Sequence, residues 1–361
     1  MKKKYISSFA ILIVIIAAFV FALSKNAEDR IKSNEERLNL ISKNLQKRKI
    51  LDSSLKELSR YNYQGKGFLV FSYFDDIFLI DNRQNKVISL SNKLKFKREF
   101  GKSGDSPAEH RSLKHYRPLN NKQYFTFDFS QQMIKKFDKN DSLLFYMNFK
   151  NDSLRISDCT YINKNTFLTA GSSDLQFYFL VIDIKANEIL KYWTIDDILE
   201  KKVDRENIPT IGRELIFEGY FSQSDQGDIL YSYNKTGLFS IFSPNGEFTG
   251  TYQTIDKNPL PRFLRKDIGR GIKLSTLEPD FYGNYSRAIN SNHVFILSNF
   301  LMPDYNDNRI IDVYDKIGNY KHSFFVQNLE DGQRADQIVA LDNHLFVLYE
   351  NSTIVNYELN I

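Results

Sequence analysis

The sequence predicts an all-β fold, a six-bladed β-propeller of four-stranded blades over residues 63–361. The chain of 361 residues carries 30 Phe and 21 Tyr, residue types that suit half-buried pleated sheets. Beyond residue 67, short apolar runs alternate with polar turns and no helical period intervenes, which excludes a parallel α/β sheet. A strand ending in an apolar pair before a polar turn recurs six times. Where no insertion intervenes, the repeats are about 45 residues apart, the length of one four-stranded blade.

The repeats include two insertions and leave one sheet edge to be closed. The recurring strand ends are Leu90, Phe137, Ile182, Phe242, Tyr314 and Tyr357. Residues 194–219 and 256–284 interrupt the spacing as insertions. A propeller ordinarily covers the edge of its last blade with a strand from the other terminus, because an exposed edge invites pairing with another chain. Residues 60–65 are the candidates for that strand.

The segment between the first two repeats reads FGKSGDSPAE, at residues 100–109. It resembles the blade-connecting F-G-x-x-G-x-G-P-x-E signature of bacterial six-bladed, NHL-like β-propellers of the cell envelope, with Ser106 in place of the usual glycine before the proline. The resemblance covers residues 67–361 and implies a ligand-binding scaffold without a particular activity. Locally, Gly101, Gly104 and Pro107 have the backbone preferences that a crossing between blades requires.

The N-terminal residues predict a membrane anchor within residues 1–24. Three lysines precede residues 6–23, which hold only two serines among apolar side chains and are just long enough to span ~30 Å of hydrocarbon. The lysines favour a cytoplasmic N-terminus, so we expect a single-pass protein of a bacterial membrane with its propeller on the extracytoplasmic side. A cleaved signal peptide ending near Ala22-Leu23-Ser24 is one alternative. A soluble cytoplasmic protein with a buried N-terminal helix is another.

Residues 25–62 predict a helical stalk, because apolar residues recur there at helical spacing without Gly or Pro. The stripe consists of Ile31, Leu38, Ile41 and Leu45, and resumes after a register break at Leu51, Leu55 and Leu58. A coiled-coil dimer is the alternative, although Asn34 and Arg48 would fall on its seam. We expect instead that the stripe packs on the domain that follows.

Composition and motifs exclude several classes of function. The net charge of +5 is too weak to indicate nucleic-acid binding. The single cysteine, Cys159, excludes an intrachain disulfide and a Cys-rich zinc site. A phosphate loop would need glycine where Phe96 stands, and no nucleophile elbow occurs. We therefore expect no cofactor, no metal and no nucleic acid, and the sequence favours a non-enzymatic protein without excluding an enzyme.

Two groups of arginines are candidate ligand-binding residues. Four arginines each lie just before a predicted inner strand and could ring the mouth of the central channel: Arg111, Arg155, Arg287 and Arg334. Their planar guanidinium groups suit carboxylate, phosphate or sulfated ligands. Alternatively, each neutralises a local carboxylate such as Asp158 or Asp336. The second insertion adds Arg262 and Arg265, which either bind an anionic partner or belong to a solvated loop.

Together these features predict a membrane-anchored, extracytoplasmic propeller that acts as a binding or scaffolding module. Its expected partners are the membrane, through residues 6–23, and an unknown protein or an anionic small molecule or glycan. The alternative is a calcium-dependent hydrolase or lactonase with its site in the central channel. Asp158, Glu218 and Asn290 are the nearest candidates for oxygen ligands to such an ion.

Overall fold

The computed structural model describes residues 47–51, 55–65, 69–73, 75–120, 122–149, 154–173, 176–199, 213–258, 263–267, 272–276, 284–302 and 308–361. Within these residues the chain forms six four-stranded antiparallel sheets. The innermost strands contact one another in turn, and the last contacts the first, which closes the ring. The predicted six-bladed propeller of four-stranded blades is therefore confirmed.

The strands are numbered along the chain, and in each blade the inner strand is named first and the outer strand last. The first blade consists of β2 (Leu69–Tyr73), β3 (Asp76–Asp81), β4 (Lys86–Ser91) and β5 (Phe96–Phe100). The second consists of β6 (Leu113–Asn120), β7 (Gln123–Asp128), β8 (Met133–Asp138) and β9 (Leu143–Asn148). The third consists of β10 (Arg155–Asn163), β11 (Thr166–Ser173), β12 (Gln176–Asp183) and β13 (Glu188–Thr194).

The fourth blade consists of β14 (Gly219–Gln223), β15 (Ile229–Tyr233), β16 (Leu238–Phe242) and β17 (Phe248–Gln253). The fifth consists of β20 (Asn284–Ile289), β21 (His293–Met302), β22 (Asn308–Asp315) and β23 (Tyr320–Val326). The sixth consists of β24 (Ala335–Leu341), β25 (His344–Tyr349), β26 (Thr353–Leu359) and β1 (Leu55–Asn62). The insertions hold two short helices, α1 (Ile195–Leu199) and α2 (Arg213–Ile216), and a two-stranded sheet of β18 (Phe263–Asp267) and β19 (Ile272–Thr276).

The last blade takes its outer strand from the N-terminal part of the chain, as predicted. β1 pairs antiparallel with β26, from Leu55 opposite Leu359 to Asn62 opposite Thr353. Its backbone groups thereby satisfy the otherwise open edge of β26. The strand is longer than the predicted segment of residues 60–65, and the propeller includes residues before 63.

The helical stalk predicted for residues 25–62 is wrong in its last part, because residues 55–62 form β1. The hydrogen bonds and packing that β26 offers outweigh the helical spacing of the leucines, and Leu55 packs against the core of the fifth and sixth blades. Residues 25–46 and 52–54 of the stalk lie outside the described residues, as does the predicted anchor at 6–23. In the part of the chain that the structure describes, no helix is long and apolar enough to cross a bilayer.

A short N-terminal strap, residues 47–51, precedes β1 and lies along the outer edge of the fifth blade. Ile50 forms a parallel bridge with Ser323 of β23. The N–H of Ser323 donates to the carbonyl of Lys49, and the N–H of Leu51 donates to the carbonyl of Ser323, both at 2.8 Å. The strap also carries Arg48, which is buried. This segment therefore joins the fifth blade to the strand that closes the sixth.

An aspartate ends the third strand of three blades and explains why the repeat is visible in the sequence. Asp138, Asp183 and Asp315 each use Oδ1 to accept two backbone N–H groups from residues two to four positions later, at 2.8–3.2 Å. Such turns satisfy backbone donors locally and fix the reversal into the outer strand. The repeated polar turn is therefore a structural feature of the blade.

The segment at residues 100–109 is a crossing between blades, as predicted. Gly101 has φ of 102°, and a Cβ there would lie 2.6 Å from the backbone oxygen of Asn85, so only glycine fits without strain. The carboxylate of Glu109 pairs with Lys102 at 2.9 Å and accepts the N–H of Ser106 at 3.2 Å. These two partners lower the pKa of Glu109 to about 2, and they hold the turn that leads into β6.

Aromatic side chains fill the space between neighbouring blades. Between the third and fourth blades, the ring of Phe179 lies 4.8 Å from that of Tyr231 and 5.1 Å from that of Phe242. Trp193 meets Phe242 edge-on at 5.9 Å. Burying each such ring stabilises the fold by roughly 1.5–3 kcal/mol. This packing fixes the inner strands around the central channel.

Candidate functional site in the central channel

A cavity lies on the propeller axis, where all six inner strands contribute to its wall. Its volume is about 40 Å³. Because roughly 10–15 Å³ is enough for one water molecule, the enclosed space fits a ligand of only a few non-hydrogen atoms. The wall combines apolar residues from several blades with polar groups that include Arg117 and Arg287.

Arg117 of β6 brings a positive charge into this wall. Its guanidinium group lies 4.6 Å from the ring centroid of Tyr73 and 5.8 Å from that of Tyr161. The group reaches the hydroxyl of Thr160 at 3.5 Å and bonds to Tyr73, but its Nε has no hydrogen-bond partner. Burial lowers the pKa of Arg117 to about 10, against the opposing effect of Tyr73. The side chain is therefore still charged at neutral pH.

A second cationic group surrounds Tyr220 of β14. The Arg287 guanidinium lies 4.6 Å from the centre of this ring, and the Lys114 ammonium lies 4.7 Å from it. Lys114 also donates to the carbonyl of Ser157 at 2.7 Å, and Arg287 donates to the carbonyl of Phe221 at 3.2 Å. Aromatic faces attract cations at these distances. Tyr220 thus holds two positive charges beside the channel.

A buried carboxylate offsets part of this charge. Asp158 of β10 accepts the backbone N–H of Phe221 at 2.7 Å and interacts electrostatically with Lys114 and Arg287. Burial raises the pKa of Asp158, and it lowers the pKa of Lys114, because both groups are removed from water. The group around Tyr220 is therefore partly neutralised by the protein itself.

His115 lies among these cations. Its ring stacks on Phe125 at 5.5 Å and meets Phe71 edge-on at 4.4 Å. Burial, and then the charges of Arg117, Arg287 and Lys114, lower the pKa of His115 to about 3. The imidazole is therefore neutral at physiological pH.

The structure places the predicted ring arginines in different surroundings. Arg287 lines the cavity. Arg111 forms an ion pair with Asp105, and Arg334 pairs with Glu350 at 3.3 Å. These two contacts agree with the alternative in which an arginine neutralises a local carboxylate.

The remaining candidate arginines lie elsewhere or outside the described residues. Arg155 is exposed and lies over the ring of Phe129 at 5.1 Å. Arg265 belongs to strand β18 of the second insertion, and Arg262 lies outside the described residues. Of the predicted residues whose side chains the structure describes, Arg287 is the one in the cavity wall. A ligand-binding role for the six arginines stays a prediction.

Arg117, Lys114 and His115 were not among the residues predicted to bind a ligand. All three lie in the run LKHYRPLN of β6, an inner strand that carries three basic side chains. Since Lys, Arg and His are rarely buried without a role or a partner, this run was a signal that could have been found.

The oxygen ligands suggested for a calcium site are used in other ways. Asn290 accepts the backbone N–H groups of Asn292 and His293 in a turn, at 3.0 and 2.7 Å. Asp158 accepts the backbone N–H of Phe221. Asp158 and Glu218 both interact electrostatically with Lys114. Among the described residues, no group of three or more His, Cys, Asp or Glu could hold a metal ion.

Comparison with known proteins identifies the fold and no family. No protein-family model matches the chain, and no curated protein matches it. One similar solved structure is that of a Bacteroides fragilis protein whose name describes it as exported. Its TM-score is 0.54 and its identity 11%, over 87% of this chain and 98% of that one. At this identity the similarity shows the propeller fold alone.

Two further solved structures have lower scores. Catalytically inactive virginiamycin B lyase from Staphylococcus aureus with quinupristin has a TM-score of 0.47 and 10% identity, over 84% of this chain and 99% of that one. BamB from Moraxella catarrhalis has a TM-score of 0.44 and 10% identity, over 84% and 100%. Scores this low carry no argument about function. The chain is a six-bladed β-propeller with bacterial propellers among its structural neighbours.

Proposed function

We propose that the protein is a non-enzymatic binding or scaffolding module that works outside the cytoplasm and holds an anionic ligand in its central channel. In this proposal it is a cell-envelope propeller of the NHL-like type. The observation that carries the proposal is Arg117, a half-buried side chain in the cavity wall whose Nε is buried without a hydrogen-bond partner. Among the described residues, no carboxylate lies within ion-pair distance of it.

A buried charge without a partner is costly, which is the physical reason to expect a ligand. Removing a charged group from water costs several kcal/mol unless pairing and hydrogen bonds compensate. The rings of Tyr73 and Tyr161 offset part of this cost, since cation–aromatic contacts contribute about 0.5–2 kcal/mol each. An anion in the cavity would supply the rest, and it would meet Arg287 on the opposite part of the ring of inner strands.

The proposal is tested by anion-dependent stability. The propeller is unfolded thermally with and without acetate, inorganic phosphate or inorganic sulfate, as wild type and as Arg117→Gln. An anion at 100 times its dissociation constant should raise the free energy of unfolding of the wild type by about 2.7 kcal/mol. The Arg117→Gln variant should lose this gain. Arg334→Gln is the matched control, because Arg334 pairs with Glu350 and does not line the cavity.

Two results would contradict the proposal. Equal stabilisation of wild type and Arg117→Gln would show that the anions bind elsewhere, for example at the basic second insertion. If no anion stabilises the wild type at constant ionic strength, the proposal that the channel binds an anionic ligand is wrong.

The proposed location depends on residues 6–23 as a retained membrane anchor. The run of apolar residues after three lysines supports it. The full chain should then sediment with membranes and resist extraction by alkaline carbonate. A soluble product that begins near Lys25 would show a cleaved signal peptide instead, and a soluble full-length chain would contradict both.

A further inference from the structure

We infer that the channel ligand is a small monocarboxylate that carries an apolar group. The inference rests on the proposed function and specifies its ligand. It follows from the hydrogen-bonding groups, the charge and the shape of the cavity.

The polar groups at the cavity leave hydrogen-bond donors unused. A guanidinium group has five N–H donors, and the contacts of Arg117 go to Thr160 and Tyr73. Thr160 donates its own proton to Gln223 Oε1 at 3.0 Å, so it faces Arg117 as an acceptor. Across the cavity, Ser286 Oγ accepts the N–H of Ile338 at 3.1 Å, which leaves its hydroxyl proton for another partner. A ligand that fits these groups must offer acceptors.

The charge around the cavity calls for one negative charge. Arg117 and Arg287 both line the cavity, and Lys114 shares the ring of Tyr220 with Arg287, so the three cations lie close together. Asp158 and Glu218 interact with Lys114, and Asp158 also with Arg287. The three cations carry three positive charges, and the two carboxylates carry two negative charges. One positive charge is left without a counter-charge, and it is that of Arg117. A monoanion balances this charge, whereas a dianion would exceed it.

The shape of the wall favours a planar group with an apolar end. Much of the wall is apolar, from Val70, Phe71, Phe78, Phe221, Ile338 and Val339. A tetrahedral phosphate or sulfate would turn some of its oxygens toward these side chains, and buried polar atoms without hydrogen bonds are costly. A carboxylate presents both oxygens on one edge, which matches the fork of a guanidinium group. Its carbon chain can then contact the apolar wall.

The test is a series of ligands titrated calorimetrically into the full chain. The series comprises acetate, propionate, butyrate, butyramide and inorganic phosphate, at constant ionic strength. Affinity should rise about fourfold for each methylene added to acetate, which corresponds to ~0.8 kcal/mol per buried methylene. Butyramide, the neutral analogue of butyrate, should bind at least tenfold more weakly. Phosphate should also bind more weakly than butyrate.

Variants test whether the guanidinium group of Arg117 binds the carboxylate of the ligand. Arg117→Lys keeps the charge but removes the planar fork, so it should lower butyrate affinity about tenfold or more. Arg334→Gln should leave butyrate affinity unchanged. Because the ligand series uses the wild-type chain alone, the inference stays testable if an Arg117 variant does not fold.

The outcomes separate this inference from the proposed function. Phosphate binding that exceeds butyrate binding and depends on Arg117 would overturn the monocarboxylate and leave the anionic channel standing. Equal binding of butyrate and butyramide, or affinity that does not change along the carboxylate series, would also overturn it. If no anion binds, the inference and the proposed channel ligand both fail.

Discussion

Two arginines of this propeller, the buried Arg48 and the half-buried Arg117, have opposite surroundings. Arg48, from the N-terminal strap, donates to both carboxylate oxygens of Asp312, at 2.8 and 2.7 Å, and also pairs with Asp256. Arg117, in the channel, contacts aromatic rings and hydroxyls. Nearby carboxylates raise the pKa of Arg48 above its ordinary value despite burial, whereas burial lowers that of Arg117 to about 10.

This difference separates a structural charge from a charge that awaits a partner. The protein supplies the counter-charges of Arg48, which fasten the strap to the fourth and fifth blades. It supplies rings and few hydrogen bonds to Arg117, and places the group beside an open cavity. Substitutions at the two positions should therefore differ in their effect on stability.

The largest expected effect is that of Arg48→Met. Removing the guanidinium leaves Asp312 and Asp256 buried without their cation, and breaking a buried ion pair in this way costs about 3–5 kcal/mol. Urea unfolding followed by circular dichroism measures the loss. Lys56→Met is the control, because Lys56 pairs with Glu358 at 3.5 Å on the surface and should matter little. A loss no larger than that of the control would contradict a structural role for Arg48.

When no anion is present, Arg117→Met should change the free energy of unfolding in the opposite direction to Arg48→Met, or leave it unchanged. The substitution removes a buried charge and leaves no carboxylate behind among the described residues, so the free energy of unfolding should stay unchanged or rise by up to about 2 kcal/mol. The same urea titration in a buffer of zwitterions measures it. Destabilisation as large as that of Arg48→Met would show that Arg117 is structural and would weaken the proposed ligand site.

The ion cluster of the strap should make stability depend on pH. Burial, and then the charge of Asp312, raise the pKa of Asp256 to about 7, while Arg48 opposes the shift. At this carboxyl group the folded state therefore binds more protons than the unfolded state between about pH 4 and 7. The contribution of Asp256 to stability should fall as the pH rises through this range, by at most about 1.4 kcal/mol per unit, and level off above 7. The lowered pKa of His115 acts in the opposite direction, so the contribution of Asp256 has to be measured as a difference between wild type and variant.

Asp256→Asn should remove this contribution, so the difference in free energy of unfolding between wild type and variant should change with pH between about 4 and 7. Urea unfolding at several pH values between 4 and 8 measures it. Asp105→Asn is the control, since Arg111 lowers the pKa of Asp105 and its titration lies below this range. A difference between wild type and Asp256→Asn that stays constant with pH would show that Asp256 does not titrate in this range.

The smallest effect is expected for Arg334→Gln. The pair with Glu350 is partly exposed, and such pairs contribute about 0–1 kcal/mol. The variant should also bind anions as the wild type does, which calorimetry with butyrate measures. A clear loss of anion affinity would restore the predicted ring of arginines at the channel mouth, and Arg117 would no longer stand apart as the ligand-binding arginine.

The blades could be predicted because their signals are local. The aspartate turns after β8, β12 and β22 recur with the repeat, and the glycine at position 101 is required by its own backbone angle. The closing strand was predicted only at residues 60–65, and the first part of β1 was predicted as helix, because its leucines keep helical spacing and its partner, β26, lies at the far end of the sequence. Pairing across the fold decided its structure.

The channel residues were hidden for a similar reason. Arg287 was proposed from its position near an inner strand, and the structure places it in the cavity wall. Arg117 lies in an inner strand too, but periodicity does not show which side chains of a strand face the axis and which face the next blade. Arg48 was interpreted as a polar residue on a helical seam. In the structure it forms ion pairs with two aspartates more than 200 positions away in the sequence. Such contacts depend on the tertiary fold.

The pairing of β1 with β26 delays completion of the fold until the end of the chain has been synthesised. The side chains of Thr353 and Asn62, which bond across it at 3.1 Å, are 291 residues apart in the chain. At about 5–20 residues per second, a ribosome needs roughly 15–60 s to make the intervening chain. During that interval β1 has been synthesised but its partner has not, so the sixth blade stays incomplete. A chaperone or another chain could pair with β1 in that interval, and release of a chain truncated before β26 would leave β1 without its partner strand permanently.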